Sequence, residues 1–260
     1  KGIRLEQEEG DSTSQKGFPF LVRIANKDHY IIPYSFFDGI ENIRDDIEGA
    51  IVQDPEIGLS EDYVLCLFDY MSEYPCQIIG ENLCRSTFIP PEFREYMLKK
   101  YGKDKIIISP TTNHWFVNQD IKEGILPKVE KFLMAARAVV KKEMKAYQPG
   151  SDLYEVLNVR QTQLKISCNG LYGLTIARHN GICWNEVGES VTDFARLQIN
   201  RSKDILAQEL PNSKVIYGDT DSLYVAMLDF KIDYKWPKDR INEVLKCARE
   251  KGSKVADIIT

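Results

Sequence analysis

Two runs of β-branched, aromatic and aliphatic side chains, Lys214-Val215-Ile216-Tyr217 and Ser222-Leu223-Tyr224-Val225-Ala226-Met227, are separated only by Gly218-Asp219-Thr220-Asp221. Strand-forming runs with so short a polar interruption predict a β-hairpin. The hairpin would carry two carboxylates, Asp219 and Asp221, one residue apart at its tip. Gly218 is expected to supply the backbone freedom of the turn. Hard oxygen ligands on a rigid turn suit Mg²⁺. Taken alone, Asp-Thr-Asp is better read as a solvated acidic turn, so the rest of the chain has to decide.

A second apolar run, Tyr63-Val64-Leu65-Cys66-Leu67-Phe68, ends at Asp69. Its continuity predicts a strand buried on both faces. Pro75, soon after it, is placed for the first turn of a helix, where a missing N–H costs nothing. Phe18 to Tyr34 alternates enough to predict one or two short strands, and Gly49-Ala50-Ile51-Val52 reads as a strand ending in a turn at Pro55 and Gly58. Residues 7–17 are polar and read as a loop.

Gly124 to Lys145 has helical periodicity, with Val129, Leu133, Ala136, Val140 and Met144 on one stripe. Gln148-Pro149-Gly150-Ser151 then breaks the chain. Asp152, with Glu155 three residues on, resembles a capping box that opens a second helix to about Tyr172, with Gly173 as its cap. A short turn between two helices predicts an antiparallel hairpin. Further helices are expected over about Glu186 to Leu210 and Ile241 to Ile259, the latter with Ala248, Gly252 and Ala256 along one face.

At 260 residues the chain is long enough for a proper core. No long uncharged apolar run predicts a membrane span. The six cysteines contain no Cys-x-x-Cys pair and the three histidines are scattered, which argues against zinc and for buried thiols in an intracellular, reducing setting. The net charge of −5 is not that of an ordinary nucleic-acid-binding domain, although metal-binding carboxylates would add to the negative count. The chain opens on Lys1 rather than methionine, as expected of a piece of a longer protein.

Three groups carry chemistry. If the strand ending at Asp69 neighbours the Asp219–Asp221 hairpin in one sheet, three carboxylates can surround one point. Such like charges repel, and divalent cations are the usual resolution. Arg137 and Lys141, four apart, share one helix face; Lys165, Asn169 and Tyr172 share another at i, i+4 and i+7. In an antiparallel hairpin both faces can look toward the carboxylates, and forked cations opposite a metal site suit a polyphosphate. Spacing alone would leave Arg137 and Lys141 as solvated surface. Asn169 and Gly170 are poor helix formers, so something other than helix stability accounts for them.

The chain resembles the palm and fingers of a family B DNA polymerase, the group of eukaryotic replicative and large-DNA-virus enzymes. Leu67-Phe68-Asp69-Tyr70-Met71-Ser72-Glu73-Tyr74-Pro75, with Asn82-Leu83-Cys84, resembles the first palm motif. Lys165-Ile166-Ser167-Cys168-Asn169-Gly170-Leu171-Tyr172-Gly173 resembles the fingers motif, and Tyr217-Gly218-Asp219-Thr220-Asp221-Ser222 the second palm motif. Gly124-Ile125-Leu126-Pro127 leads into the Arg137 helix as the family does. Asn82 to Thr87 has a large-DNA-virus flavour.

The resemblance implies an α+β fold, a palm with an antiparallel β-sheet and flanking helices plus an antiparallel two-helix fingers hairpin. It divides the chain into a lead-in over 1–47, palm over 48–120, fingers over 121–174 and palm again over 175–260. No exonuclease or thumb segment is recognisable. Implied too is template-directed DNA synthesis from dNTPs on primer–template DNA, with two Mg²⁺ ions for which Mn²⁺ can substitute. A processivity factor and a nuclear or viral replication site accompany that reading. Asp69 and Asp221 become the metal ligands, helped by the Tyr70 carbonyl, with Asp219 a nearby, less essential carboxylate. Backbone N–H groups around Met71, Ser72 and Tyr74 face the triphosphate. Arg137, Lys141 and Lys165 grip it, with Asn169 assisting. Tyr74 packs under the sugar and excludes a 2′-hydroxyl, while Tyr172 and Gly173 sit near the nascent base pair.

Glu73, Cys76, Gln77 and Gly170 depart from the family pattern, Glu73 standing where Leu is usual. A carboxylate there is repulsive to a triphosphate unless it points away or binds metal. Two other readings therefore stay open: a degenerate, non-catalytic polymerase acting as a DNA-binding or scaffold subunit, and a different nucleotidyltransferase using the same carboxylates.

Overall fold

The computed structural model describes residues 18–32, 49–58, 62–176 and 184–259. In chain order the elements are α1 (Phe18–Lys27), β1 (Val52–Gln53), β2 (Tyr63–Asp69), α2 (Glu73–Gly80), β3 (Phe88–Ile89), α3 (Arg94–Tyr101), β4 (Ile106–Ile108), β5 (Trp115–Val117), α4 (Ile125–Met144), α5 (Asp152–Ile176), α6 (Asn185–Glu209), β6 (Ser213–Asp219), β7 (Ser222–Lys231) and α7 (Lys238–Ile259). They form two compact units. One holds the chain up to Glu48 and Tyr74–Asp193; the other holds Gly49–Glu73 and the chain from Phe194 onward. The fold is α+β, with both sheets antiparallel.

The second unit is built on a four-stranded sheet of order β1-β6-β7-β2. Val64 of β2, Leu223, Val225 and Met227 of β7, Ile199 and Leu206 of α6, and Ala248 and Val255 of α7 form its core. Each of these Val, Leu, Ile and Met side chains, fully buried, contributes about 1.5–3 kcal/mol. The small residues of α7 allow close approach: a Cβ on Gly252 would lie 3.7 Å from Cys66 Sγ and 3.8 Å from Phe68 Cζ.

β2 is not buried on both faces, as its continuous apolar run predicts. Val64 is buried, but Leu65 and Leu67 are 49% and 55% exposed. The helices cover one face of the sheet only, and strand alternation puts Leu65, Leu67 and Asp69 on the other.

The first unit holds a small sheet of order β3-β5-β4 and the hairpin of α4 and α5. The hairpin is antiparallel, since Arg137 meets Gln161 and Glu130 meets Cys168 in matching register. Its stripe is buried at Val129, Leu133 and Val140. Asn82, fully buried and at φ 51°, ties the entry to α4. Its amide donates to the Val117 and Lys122 carbonyls, both at 2.8 Å, and its oxygen accepts from Gly124 N–H at 2.9 Å. Gly124 has no room for a side chain; a Cβ would meet Cys84 Cβ at 2.7 Å. Asp193 clamps the loop before β5, accepting from Thr111 N–H at 2.8 Å, Thr112 N–H at 3.0 Å and the Thr111 hydroxyl at 2.7 Å.

Several local expectations shift. Phe18–Lys27 is a helix rather than strands, burying Leu21 and Ala25 with α4 beside it. The strand expected over Gly49–Val52 is only Val52–Gln53. α5 is capped by Ser151, not Asp152: the Ser151 hydroxyl accepts from Tyr154 N–H at 3.4 Å, and its carbonyl accepts from Glu155 N–H at 3.0 Å. Gly173 does not end α5, which runs on to Ile176. α7 starts at Lys238, ahead of Ile241.

Candidate active site

β2 and β6 flank β7 on either side, so Asp69 and Asp219 both stand opposite Ser222. Directly paired residues of antiparallel strands share a face. Asp69, Ser222 and Asp219 therefore line the open face of the sheet, with Leu67, Tyr224 and Tyr217 behind them in the next row. The Tyr217 and Tyr224 rings lie 5.4 Å apart.

The turn between β6 and β7 takes its left-handed residue at Thr220, φ 53°, rather than at Gly218. Gly218 answers a different need. It is buried inside β6, where a Cβ would lie 3.0 Å from Leu223 Cδ2 and 3.3 Å from the Ser222 carbonyl oxygen. Thr220 N–H donates to the Ile51 carbonyl at 3.0 Å, and its hydroxyl to Asp219 at 2.9 Å.

Beyond Asp69 the β2–β7 ladder continues for one bond: Tyr70 N–H donates to the Asp221 carbonyl at 2.9 Å. The Tyr70 hydroxyl is anchored on α6, 2.6 Å from Ser202 Oγ and 3.1 Å from Gln198 Nε2. Ser72 then adopts φ 63°, a conformation uncommon for a residue with a Cβ, and turns the chain into α2. Asp69, Tyr70 and Asp221 border one groove of about 600 Å³ beside α7.

Three carboxylates do not surround one point. Among the described residues no three His, Cys, Asp or Glu side chains gather as a metal-binding group. The reason lies in the sheet: Asp69 and Asp219 are two strand spacings apart, about 9–10 Å. Asp69 and Asp221 are brought to the common groove, and Asp219 is not.

Glu73 opens α2 and is 4% exposed, yet neither carboxylate oxygen has a hydrogen-bond partner. Burial pushes its carboxyl up to about 8, and the Asp221 charge adds to the rise. A carboxylate in the first turn gains from the helix dipole, but by less than such burial costs.

On the other unit, Arg137 is half-buried and donates from Nε to Gln161 Oε1 at 3.3 Å. Lys141, Lys165 and Asn169 are exposed. Among the described residues no carboxylate pairs with Arg137, Lys141 or Lys165, whereas other cations of this unit are paired, Arg85 with Glu186 and Lys131 with Glu123. The Tyr172 ring meets that of Tyr74 at 4.4 Å. Gly173 follows inside α5.

The polar residues missed in the sequence are buried ones. Glu130 is fully buried within the α4–α5 hairpin, with the Cys168 thiol beside its carboxyl. Burial holds its carboxyl well above the usual range, and the Cys168 thiol beside it opposes the shift. The helical period was the available signal, since Glu130 sits between Val129 and Leu133 on the inward stripe. His114 and Glu189 form a second hidden pair, 2.7 Å apart.

A family model described as DNA polymerase family B matches residues 6–248. The chain belongs to this family. It is 34% identical over 215 residues to the DNA polymerase delta catalytic subunit of Oryza sativa subsp. japonica, covering 79% of this chain and 19% of that protein. It is 32% identical over 233 residues to the same subunit of Dictyostelium discoideum, covering 86% and 20%. The family B DNA polymerase from the hyperthermophilic archaeon Pyrobaculum calidifontis superposes with a TM-score of 0.61 and 29% identity, over 94% of this chain and 28% of that one. This family B chain thus spans about one fifth of the length of the curated relatives it matches. Among its described residues no helix is long and apolar enough to cross a membrane.

Proposed function

We propose that this family B chain carries the nucleotidyl-transfer centre of a DNA-directed DNA polymerase, adding deoxynucleotides from dNTPs to a primer 3′-hydroxyl on a DNA template. The observation that carries the reading is that Asp69, Tyr70 and Asp221 border one groove, with Tyr70 N–H bonded to the Asp221 carbonyl. Palm and fingers roles for 48–120 with 175–260 and for 121–174 belong to the same proposal.

The donor set fits Mg²⁺ or Mn²⁺ in kind: two carboxylates and the Tyr70 carbonyl are all hard oxygens. Bound there, two such ions would lower the pKa of the attacking hydroxyl and neutralise charge on the leaving pyrophosphate. Asp69 and Asp221 hold their carboxylates in place through the β2–β7 ladder, so little reorganisation accompanies reaction. Asp219 stands two strands from Asp69 and outside the groove that Asp69 and Asp221 border, where it contributes field without ligation.

Arg137, Lys141 and Lys165 bind the triphosphate as cations that no carboxylate among the described residues neutralises, and Asn169 hydrogen-bonds beside them. Backbone N–H groups at Ser72 and the first turn of α2 add an anion-binding end. Tyr74, braced by Tyr172, closes the space a 2′-hydroxyl would need, and Gly173 leaves room beside the nascent pair. Template pairing then selects the base, and the protein reads shape.

Primer extension by the full-length protein tests this. Incorporation that requires primer, template, dNTP and a divalent cation supports it. Nucleotide transfer without a template would point to a different nucleotidyltransferase, and no transfer with retained DNA binding to a scaffold subunit. Glu73 is the observation that keeps the scaffold reading alive.

A further inference from the structure

Tyr70 is held from two directions. Its N–H donates to the Asp221 carbonyl at 2.9 Å, and its ring packs against the core of the second unit. The phenol reaches α6, where its oxygen lies 2.6 Å from Ser202 Oγ and 3.1 Å from Gln198 Nε2. Gln198 and Ser202, four residues apart, share one face of α6, and Ser202 is 2% exposed.

The hydrogens of this cluster have one assignment. Ser202 O–H donates back to the Gln198 carbonyl at 2.8 Å, which commits its single hydrogen. The Tyr70 O–H is then the donor to Ser202 Oγ, and the Gln198 amide donates to the Tyr70 oxygen. The bonds form a circuit that leaves Gln198 by its side chain and returns to its carbonyl. Each hydroxyl donates once and accepts once, so the bonds polarise one another. Partly buried hydroxyls need partners of some kind. A closed circuit onto one helix does more, because it fixes the direction of the Tyr70 side chain. Two residues on, Ser72 takes φ 63° and turns the chain into α2. Such a conformation persists only where its surroundings hold it, and the Tyr70 anchor is the hold on its upstream side.

We infer that Gln198 and Ser202 are positioning residues for nucleotidyl transfer. Through the Tyr70 phenol they hold the end of β2, and with it Asp69 and the Tyr70 carbonyl, in register with Asp221. The inference rests on the reading of Asp69, Tyr70 and Asp221 as the transfer centre. A misplacement of about 1 Å can cost about 100-fold in rate, so this anchor acts on the chemical step rather than on nucleotide affinity.

Three variants of the full-length protein test it. Tyr70→Phe removes the phenol oxygen and keeps the ring, Ser202→Ala removes its acceptor, and Gln198→Met removes its donor. Single-turnover incorporation with varied dNTP is measured beside amide hydrogen exchange of the unliganded protein. Each variant should lower the maximal incorporation rate about tenfold or more, the scale on which groups that orient a site's ligands act, with its dNTP dependence unchanged. Exchange should quicken in the peptide spanning Asp69–Tyr74 and not in β6 or α7. Because Tyr70 and Ser202 act through one circuit, their double variant should be no slower than the slower single one. A variant at the original rate removes that residue from the role. Losses that multiply in the double variant, a loss confined to the dNTP dependence, or exchange that quickens throughout the unit each overturn the inference. Asp221→Asn separates it from the reading beneath. A collapsed rate there, with original rates in the three anchor variants, overturns the anchor alone; an original rate in Asp221→Asn overturns the transfer centre itself.

Discussion

The rings of Tyr74 and Tyr172 meet with their centroids 4.4 Å apart and their planes tilted by 46°. One residue lies in the first turn of α2 and the other near the end of α5, so the contact joins two motifs 98 positions apart. A side chain that discriminates against one extra hydroxyl must itself be held still, and an aromatic neighbour does that for about 0.5–1.5 kcal/mol.

Sugar selection should therefore depend on Tyr172 as well as Tyr74. Tyr74→Ala should raise ribonucleotide incorporation strongly, while Tyr74→Phe leaves it near the original level. Tyr172→Ala should raise it about two- to tenfold, the factor equivalent to the ring–ring energy. Competition between dNTP and rNTP in single-turnover extension measures all three. Unchanged discrimination in Tyr172→Ala would show that Tyr74 needs no brace.

Phosphate binding should separate Arg137 from its support. Arg137→Ala removes a charged donor and should raise KM for dNTP by about 10- to 150-fold, as charge-assisted hydrogen bonds of about 1.5–3 kcal/mol dictate. Gln161→Ala removes only the 3.3 Å bond that orients the guanidinium, so its effect should be several-fold at most. Steady-state kinetics with varied dNTP decides between that order and the reverse.

Glu130 should make the hairpin more stable in acid than in base. Its carboxyl is raised well above the ordinary 4.5 in the folded state, so between those values the native chain holds a proton that the unfolded chain releases. Stability is then greatest below about 4.5 and falls as pH climbs toward the folded value. Glu130→Leu removes the buried carboxyl and should stabilise by about 1–3 kcal/mol at pH 8, with a smaller gain at pH 4.5. Each kcal/mol raises Tm by about 2–4 °C in a chain of this size. Thermal melts at the two pH values test it, and a gain equal at both would mean the carboxyl is not the cause.

Much of this was legible in the residues. The β6–β7 hairpin, the strand ending at Asp69 and the α4–α5 pair follow from apolar period and turn chemistry, and the order of three motifs points to the family. Local choices between near-equal options were less so. Phe18–Lys27 carries Leu21 and Ala25 at helical spacing as well as an alternating pattern, and only packing with α4 selects the helix. Serine and aspartate are both good caps, so Ser151 and Asp152 compete within one residue. An unbroken apolar strand cannot say that Leu65 and Leu67 face outward, because that depends on where α6 and α7 lie. Distances between carboxylates are set by strand spacing and register, which explains why Asp219 parts from the Asp69–Asp221 groove. Glu73 was visible as an anomaly, but its burial without a partner was not.

The central claim is that Asp69 and Asp221 hold the cations for nucleotidyl transfer, and primer extension by the full-length protein carrying Asp221→Asn tests it most directly. The account predicts that extension in Mg²⁺ falls to background while primer–template binding persists. Extension at the original rate by Asp221→Asn would contradict it.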